Sequence, residues 1–128
     1  NANPAYLLGR LFAVLENIQR IALGDKVNAT ITDKYFAAAS TVPYSVYPRL
    51  LAGSKHHLSR VRKDKPGLAF SIERELGAIM TSLPTEFPRH FSIENQGRFS
   101  IGYYHQKNAR FAQSESVESN ELITEGND

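Results

Sequence analysis

The sequence contains no cysteine and no tryptophan, and it has one methionine among 128 residues. Without thiols the chain forms no disulfide or thiolate metal site, and it holds no cysteine nucleophile. No apolar run approaches the roughly 20 residues that a membrane-spanning helix needs, and the N-terminal residues lack the features of a secretory signal. These absences favour a single cytoplasmic domain with no membrane among its partners.

Charge is unevenly distributed along the chain. The formal net charge is +2, from 15 Lys and Arg residues against 13 Asp and Glu residues. Residues 114–128 carry five acidic and no basic residues, which leaves 15 basic against 8 acidic residues, or +7, before them. The acidic segment has few apolar residues to offset the entropy lost on ordering. We therefore predict one folded domain over residues 1–113 and a flexible, disordered acidic C-terminal tail over residues 114–128.

The strongest periodicity lies at the start of the chain, where apolar residues fall on one side of a 3.6-residue wheel. Asn3 is suited to capping a helix, Pro4 suits the first helical position, and Gly24 suits the position directly after the last helical residue. These signals predict a first helix over about 4–22. Residues 25–31 show no period and predict a loop.

Prolines punctuate the next segment. A short helix capped by Thr32 is followed by Pro43 and Pro48, which lie too far apart to share one first turn. The third helix therefore starts either near Val46, or near Pro43 with a kink at Pro48. We expect it to end near Lys63.

Two further helices complete the pattern. Asp64 is predicted to cap the fourth, with Pro66 in its first turn and Pro84 beyond its end. Ser92 opens the fifth, which is predicted to reach about Phe111. Because no strand-like alternation rivals these patterns, we predict an all-α fold, a compact bundle of four to five helices with short loops.

The fifth helix has apolar residues on two faces. Its predicted inner stripe consists of Ile93, Gly97, Ser100, Ile101, Tyr104 and Phe111. The opposite face presents Phe99, Tyr103 and Arg110, which are residue types common at protein interfaces. This face is interpreted as a subunit interface, with a second packing side inside the bundle or a base-stacking platform as alternatives.

The sequence shows no convincing group of residues of the kind that binds a metal ion or catalyses a reaction in enzymes. His56 and His57 are adjacent, so on a helix their rings point about 100° apart and do not readily share a metal ion. His90 and His105 lie far away in the sequence. We therefore predict that the protein is not an enzyme, has no metal, catalytic residue or cofactor, and acts on no small-molecule substrate.

Positive charge is concentrated in residues 49–65, which hold six Lys and Arg residues against one acid. On a helical wheel they form a continuous surface that we call the basic ridge: Arg49, Lys55, His56, Arg60, Arg62 and Lys63. Its cation spacing suits the phosphates of a nucleic-acid strand better than a compact ligand. Lys65 and Arg20 are predicted to assist. The alternative is an ordinary solvated helix face.

Four segments resemble a known family. They are AYLLGRLFAVLENIQ (5–19), TITDKYFAAASTVPYSVYPRLL (30–51), HHLSRVRKDKPGLA (56–69) and SIENQGRFSIGYYHQKNARF (92–111). Together they are similar to the C-terminal helical region of the large subunit of the type I-C CRISPR Cascade complex. The resemblance covers about residues 3–111.

The resemblance implies a function. In that family the region is also made as a separate protein, the Cascade small subunit, which is a non-catalytic helical bundle. The implied partners are the crRNA-guided backbone and large subunits, a second copy of the chain, and the displaced single-stranded DNA of the R-loop. The alternative is a structural scaffold that bridges other subunits and touches nucleic acid little.

Overall fold

The computed structural model describes residues 2–24 and 30–126, and the side chains of residues 2–24 and 30–110. This part of the chain contains five helices and no strand: α1 (Pro4–Leu23), α2 (Ile31–Thr41), α3 (Pro43–Asp64), α4 (Pro66–Ser82) and α5 (Ile93–Gly126). The predicted all-α bundle is therefore confirmed. Most of the loop predicted over 25–31 lies outside the described residues.

Helix α1 begins and ends where the sequence predicts. The Asn3 Oδ1 atom accepts a hydrogen bond from the Ala5 N–H at 2.8 Å, and Pro4 occupies the first turn. Gly24 ends the helix with φ +66°, a left-handed backbone conformation that favours glycine. Its N–H bonds the Arg20 carbonyl, which satisfies one of the last free carbonyls of the helix.

Two predicted caps are wrong. Helix α2 is capped by Thr30, which forms a reciprocal capping box with Asp33 at 3.2 and 3.1 Å, whereas the Thr32 hydroxyl donates to Glu16 on α1. Asp64 is the last residue of α3, and the cap position of α4 is held by Lys65 without a side-chain cap. The three-residue spacing of Thr30 and Asp33 is that of a capping box and could have identified the α2 cap, whereas no side-chain signal marks Lys65.

The ambiguity at the start of α3 is resolved in favour of Pro43. That residue lies in the first turn, and Pro48 sits inside the helix. The Tyr44 N–H, which has no partner within its own helix, donates to the Pro88 carbonyl at 3.0 Å. The segment between α4 and α5 therefore holds the start of α3 in place.

Helix α1 forms the centre of the bundle. It packs against each of the other four helices and most extensively against α5. Leu8, Leu11, Phe12, Leu15 and Ile18 are buried along it. The buried Tyr47 hydroxyl of α3 donates to the Leu8 carbonyl, so its polar atom is satisfied within the core.

Two glycines set the distance between α1 and α5. A Cβ at Gly102 would lie 2.9 Å from the Tyr6 carbonyl carbon and closer still to its oxygen. A Cβ at Gly9 would meet the Phe99 carbonyl group and the Tyr103 nitrogen in the same way. Because these neighbours are backbone atoms, the two helices approach as closely as they do only while both positions lack a side chain.

The two faces of α5 are the reverse of the prediction. Phe99 and Tyr103, expected on the outside, are 0% and 3% exposed, whereas Ile93, Ile101 and Tyr104 of the predicted inner stripe are 85%, 51% and 56% exposed. Gly102 lies on the Phe99 side, and only that side permits the close approach to α1. Gly97, which belongs to the predicted inner stripe, has open space around its Cβ position.

Burial also corrects the predicted subunit interface. Phe99 and Tyr103 pack around Phe12 and Phe36 in edge-to-face ring contacts, so they belong to the chain's own core and present no surface to another subunit. Arg110 is half-buried, and its assignment to an interface stays a prediction.

The end of the chain differs in one respect from the prediction. Backbone of α5 is helical to Gly126, past the end predicted near Phe111. Side chains beyond Arg110 lie outside the described part of the structure. The flexibility predicted for the acidic tail, residues 114–128, therefore stays a prediction.

Candidate nucleic-acid interface

The basic ridge lies on the solvent face of α3. All six of its side chains are exposed: Arg49, Lys55, His56, Arg60, Arg62 and Lys63. The other side of the helix is buried through Leu50, Ser54, Leu58 and Val61. At a rise of about 1.5 Å per residue, the ridge extends about 21 Å along the helix axis from first to last residue. One uninterrupted helix thus displays its cations in a row to solvent.

The two assisting residues are placed differently. Lys65 directly follows α3 and is exposed, two positions beyond Lys63 at the end of the ridge. Arg20 is exposed on α1, where it donates to the Asn17 Oδ1 atom at 2.8 Å. Burial, followed by the positive charge of Arg20, lowers the pKa of Arg110 on α5. Arg20 therefore lies on α1, outside the ridge, and its charge acts on Arg110 of α5.

One ridge residue has an acidic partner. The Arg62 Nε atom donates to the Glu73 Oε1 atom at 3.0 Å, which joins α3 to α4 through an ion pair. The Arg62 and Glu73 side chains are 55% and 37% exposed, so the pair contributes little to stability. Its importance is electrostatic, because Glu73 offsets one of the ridge's five full charges. The sequence did not indicate this pair, since Glu73 lies on the next helix.

The two adjacent histidines have different surroundings. His56 is exposed on the ridge, whereas His57 is partly buried, and their ring centroids are 6.0 Å apart. Burial lowers the pKa of His57, and the positive charges of His56 and Arg60 lower it further. His57 therefore favours the neutral imidazole at neutral pH.

A cavity of about 210 Å³ opens beside the ridge, between α1, α2 and α3. Its walls consist of Leu15 and Gln19 of α1, Ile31 and Tyr35 of α2, and Arg49, Leu50, Gly53, Ser54 and His57 of α3. Arg49 belongs both to the cavity and to the ridge. Sequence reasoning did not find the cavity, because its walls come from three helices and the only local signal was the small pair at Gly53 and Ser54.

A protein-family model described as CRISPR-associated protein (Cas_Csd1) matches residues 1–111 of the chain. The chain belongs to this Csd1 family. The membership confirms the predicted relationship to CRISPR-associated proteins. None of the curated proteins compared with the chain matches it. The matched region of this Csd1-family chain contains the whole basic ridge and every residue that lines the cavity.

A polar network around Glu16 of α1 links this helix to α5 and, through the Thr32 hydroxyl, to α2 in this Csd1-family chain. The Tyr103 hydroxyl donates to the Glu16 Oε2 atom at 2.7 Å, and the Lys107 Nζ atom lies 3.8 Å from Glu16 Oε1. Burial and the hydrogen bond to Glu16 raise the pKa of Tyr103, so the phenol stays protonated and donating. This network fixes α1 against α5 and explains why a tyrosine is accommodated in the core.

Within residues 2–24 and 30–110 of the Csd1-family chain, no group of three or more His, Asp or Glu side chains is placed to hold a metal ion. The described helices also include none that is long and apolar enough to cross a membrane.

Proposed function

We propose that this chain is a non-catalytic small subunit of a type I-C CRISPR-Cas surveillance complex, Cascade, in the cytoplasm. In this role its basic ridge binds the displaced non-target DNA strand without sequence specificity and stabilises the R-loop during antiviral defence. The observation that carries the proposal is the row of exposed cations on α3 in a chain of a CRISPR-associated family. Its partners are the crRNA-guided backbone and large subunits and a second copy of itself.

The physical basis is a nearly balanced strand exchange. Replacing a DNA duplex by an RNA–DNA heteroduplex changes the free energy little, so contacts to the displaced strand decide whether the R-loop stays open. Cations bind a strand largely by releasing its counterions, and log K falls by about 0.7 per neutralised phosphate against log salt. The five Lys and Arg residues of the ridge would give a slope of about −3.5. With Arg62 held by Glu73, four contacts give about −2.8.

The test is binding of single-stranded DNA by the full chain at several salt concentrations, followed by fluorescence anisotropy. The double variant Arg60→Ala, Lys63→Ala should weaken binding and flatten the slope by about 1.4, because two phosphate contacts are lost. A control variant, Arg74→Ala with Arg98→Ala, removes equal charge from exposed positions on α4 and α5. An equal effect of both variants would show that binding depends on overall charge and not on the ridge. An unchanged slope would show that Arg60 and Lys63 do not contact the DNA phosphates.

A scaffold function is the alternative, and one observation favours it. The exposed stripe of Ile93, Ile101 and Tyr104 on α5 is a surface of the kind that packs against protein. In the assembled complex, a photoreactive displaced strand should label this chain if the ridge holds DNA. Labelling confined to other subunits would favour the scaffold.

A further inference from the structure

The cavity beside the ridge has the properties of a site for one ring-shaped ligand. Its walls are mainly apolar with a few polar groups, as in most small-molecule sites. Its volume of about 210 Å³ is below the range of roughly 300–1,000 Å³ that is typical for drug-sized ligands. Tyr35 supplies an aromatic side chain, and Gly53 leaves open space on the α3 wall.

The charge of the walls indicates which part of a nucleotide belongs inside. His57, whose pKa is lowered, presents a neutral imidazole, and none of the described residues that line the cavity is a carboxylate. Among the described residues that line the cavity, Arg49 carries a full positive charge, and it is exposed and also belongs to the ridge. An uncharged ring therefore suits the cavity, while a phosphate suits Arg49 at its edge.

We infer that the cavity accepts one unstacked base of the single strand whose phosphates follow the basic ridge. The inference rests on the proposed function and extends it, because the ridge alone binds a backbone and makes no use of bases. A strand passing Arg49 brings the attached base to the cavity, where stacking on aromatic and apolar groups is tolerant of base identity. The site adds affinity without adding sequence specificity.

The experiment fills the cavity without changing charge. A Cβ at Gly53 meets no atom within 4 Å, so Gly53→Leu extends a side chain into open space on a helix and also raises helix propensity. Gly77→Leu is the matched control, since its position on α4 is equally open and lies outside the cavity. Circular dichroism verifies that both variants remain folded.

Two probes of equal length separate base binding from phosphate binding. One is a strand of thymidine nucleotides, and the other is an abasic strand with the same phosphates. Gly53→Leu should weaken binding of the thymidine strand by roughly 5- to 150-fold, the value of one stacked base, and leave the abasic strand unaffected. The slope against salt should not change. Tyr35→Leu removes the aromatic ring and keeps apolar volume, so it should also weaken binding of the thymidine strand and leave the abasic strand unaffected. This variant replaces Gly53→Leu in the test if Gly53→Leu does not fold.

The outcomes distinguish the two proposals. Undiminished binding of the thymidine strand by the filled variant overturns the base site, and so does an equal loss for both probes. In either case the effect of Arg60→Ala with Lys63→Ala on the salt slope still decides whether the ridge binds phosphates. A wild-type chain that binds neither strand overturns the proposed DNA binding and the base site together.

Discussion

Adding one methyl group at Gly102 tests the contact on which the bundle depends. The new Cβ would lie 2.9 Å from the Tyr6 carbonyl carbon and 3.2 Å from the Arg10 nitrogen, and neither backbone atom can turn aside. Helices α1 and α5 must therefore separate, and a gap of 0.5–1 Å already removes about a quarter to a half of each dispersion contact across it. Overpacking of this kind costs about 3 kcal/mol, offset by about 1 kcal/mol from the better helix propensity of alanine.

The net expectation for Gly102→Ala is a loss of about 2 kcal/mol in the free energy of unfolding. Gly97→Ala is the control on the same helix, because its Cβ meets no atom within 4 Å. That variant should gain about 1 kcal/mol from helix propensity alone. Urea denaturation followed by circular dichroism measures both values. If Gly102→Ala were as stable as Gly97→Ala, the close crossing of α1 and α5 would be refuted.

Three further predictions concern other positions. In thermal unfolding, Phe99→Ala should destabilise the fold by about 3–5 kcal/mol because Phe99 is buried, and exposed Tyr104→Ala by no more than about 0.5 kcal/mol. The reverse order would mean that the Tyr104 face of α5 is the buried one, as the sequence predicted. Glu73→Gln should release Arg62 and steepen the salt slope of single-strand binding by about 0.7, and an unchanged slope would show that Arg62 reaches no phosphate. Burial raises the pKa of the Glu75 carboxyl, so the stability that this group contributes is complete below its unfolded pKa and is lost as pH rises through its folded pKa. Glu75→Gln should therefore be more stable than wild type at pH 7, and urea titrations should show that this gain vanishes by about pH 4.

Local signals in the sequence were sufficient for the number and order of the helices and for both ends of α1. Asn3, Pro4 and Gly24 each constrain one backbone position, and the structure has α1 beginning and ending at them. The caps of α2 and α4 were misassigned because Thr30 and Thr32, or Asp64 and Lys65, differ by only one or two positions. The capping box of Thr30 with Asp33 is a local signal that was missed, and Lys65 makes no side-chain cap that a residue type could indicate.

The faces of α5 required information that periodicity does not hold. Both sides of this helix carry apolar residues, so amphipathic spacing predicted the wrong one as core. The decisive feature was the match of Gly102 with Gly9, two residues 93 positions apart. A pair so distant in sequence gives no signal to a helical wheel.

The candidate site divides in the same way. The basic ridge was predictable, because all its residues lie on one helix and exposed cations follow from the position of the apolar stripe. The pairing of Arg62 with Glu73 and the cavity beside Arg49 were not predictable, because each is formed between helices. Charge on a helix can be predicted from sequence, whereas its neutralisation depends on tertiary packing.

The pairing of α1 with α5 also bears on how the chain folds during synthesis. About 70 residues separate the end of α1 from the start of α5, and ribosomes add roughly 5–20 residues per second, so α1 emerges roughly 4–14 s before its main packing partner exists. Of the four helices that pack against α1, only α2, α3 and α4 can form during that interval. The nascent chain therefore passes through an incomplete bundle with a vacant groove along α1. Translation rate and chaperone access across this interval are expected to determine the yield of folded protein.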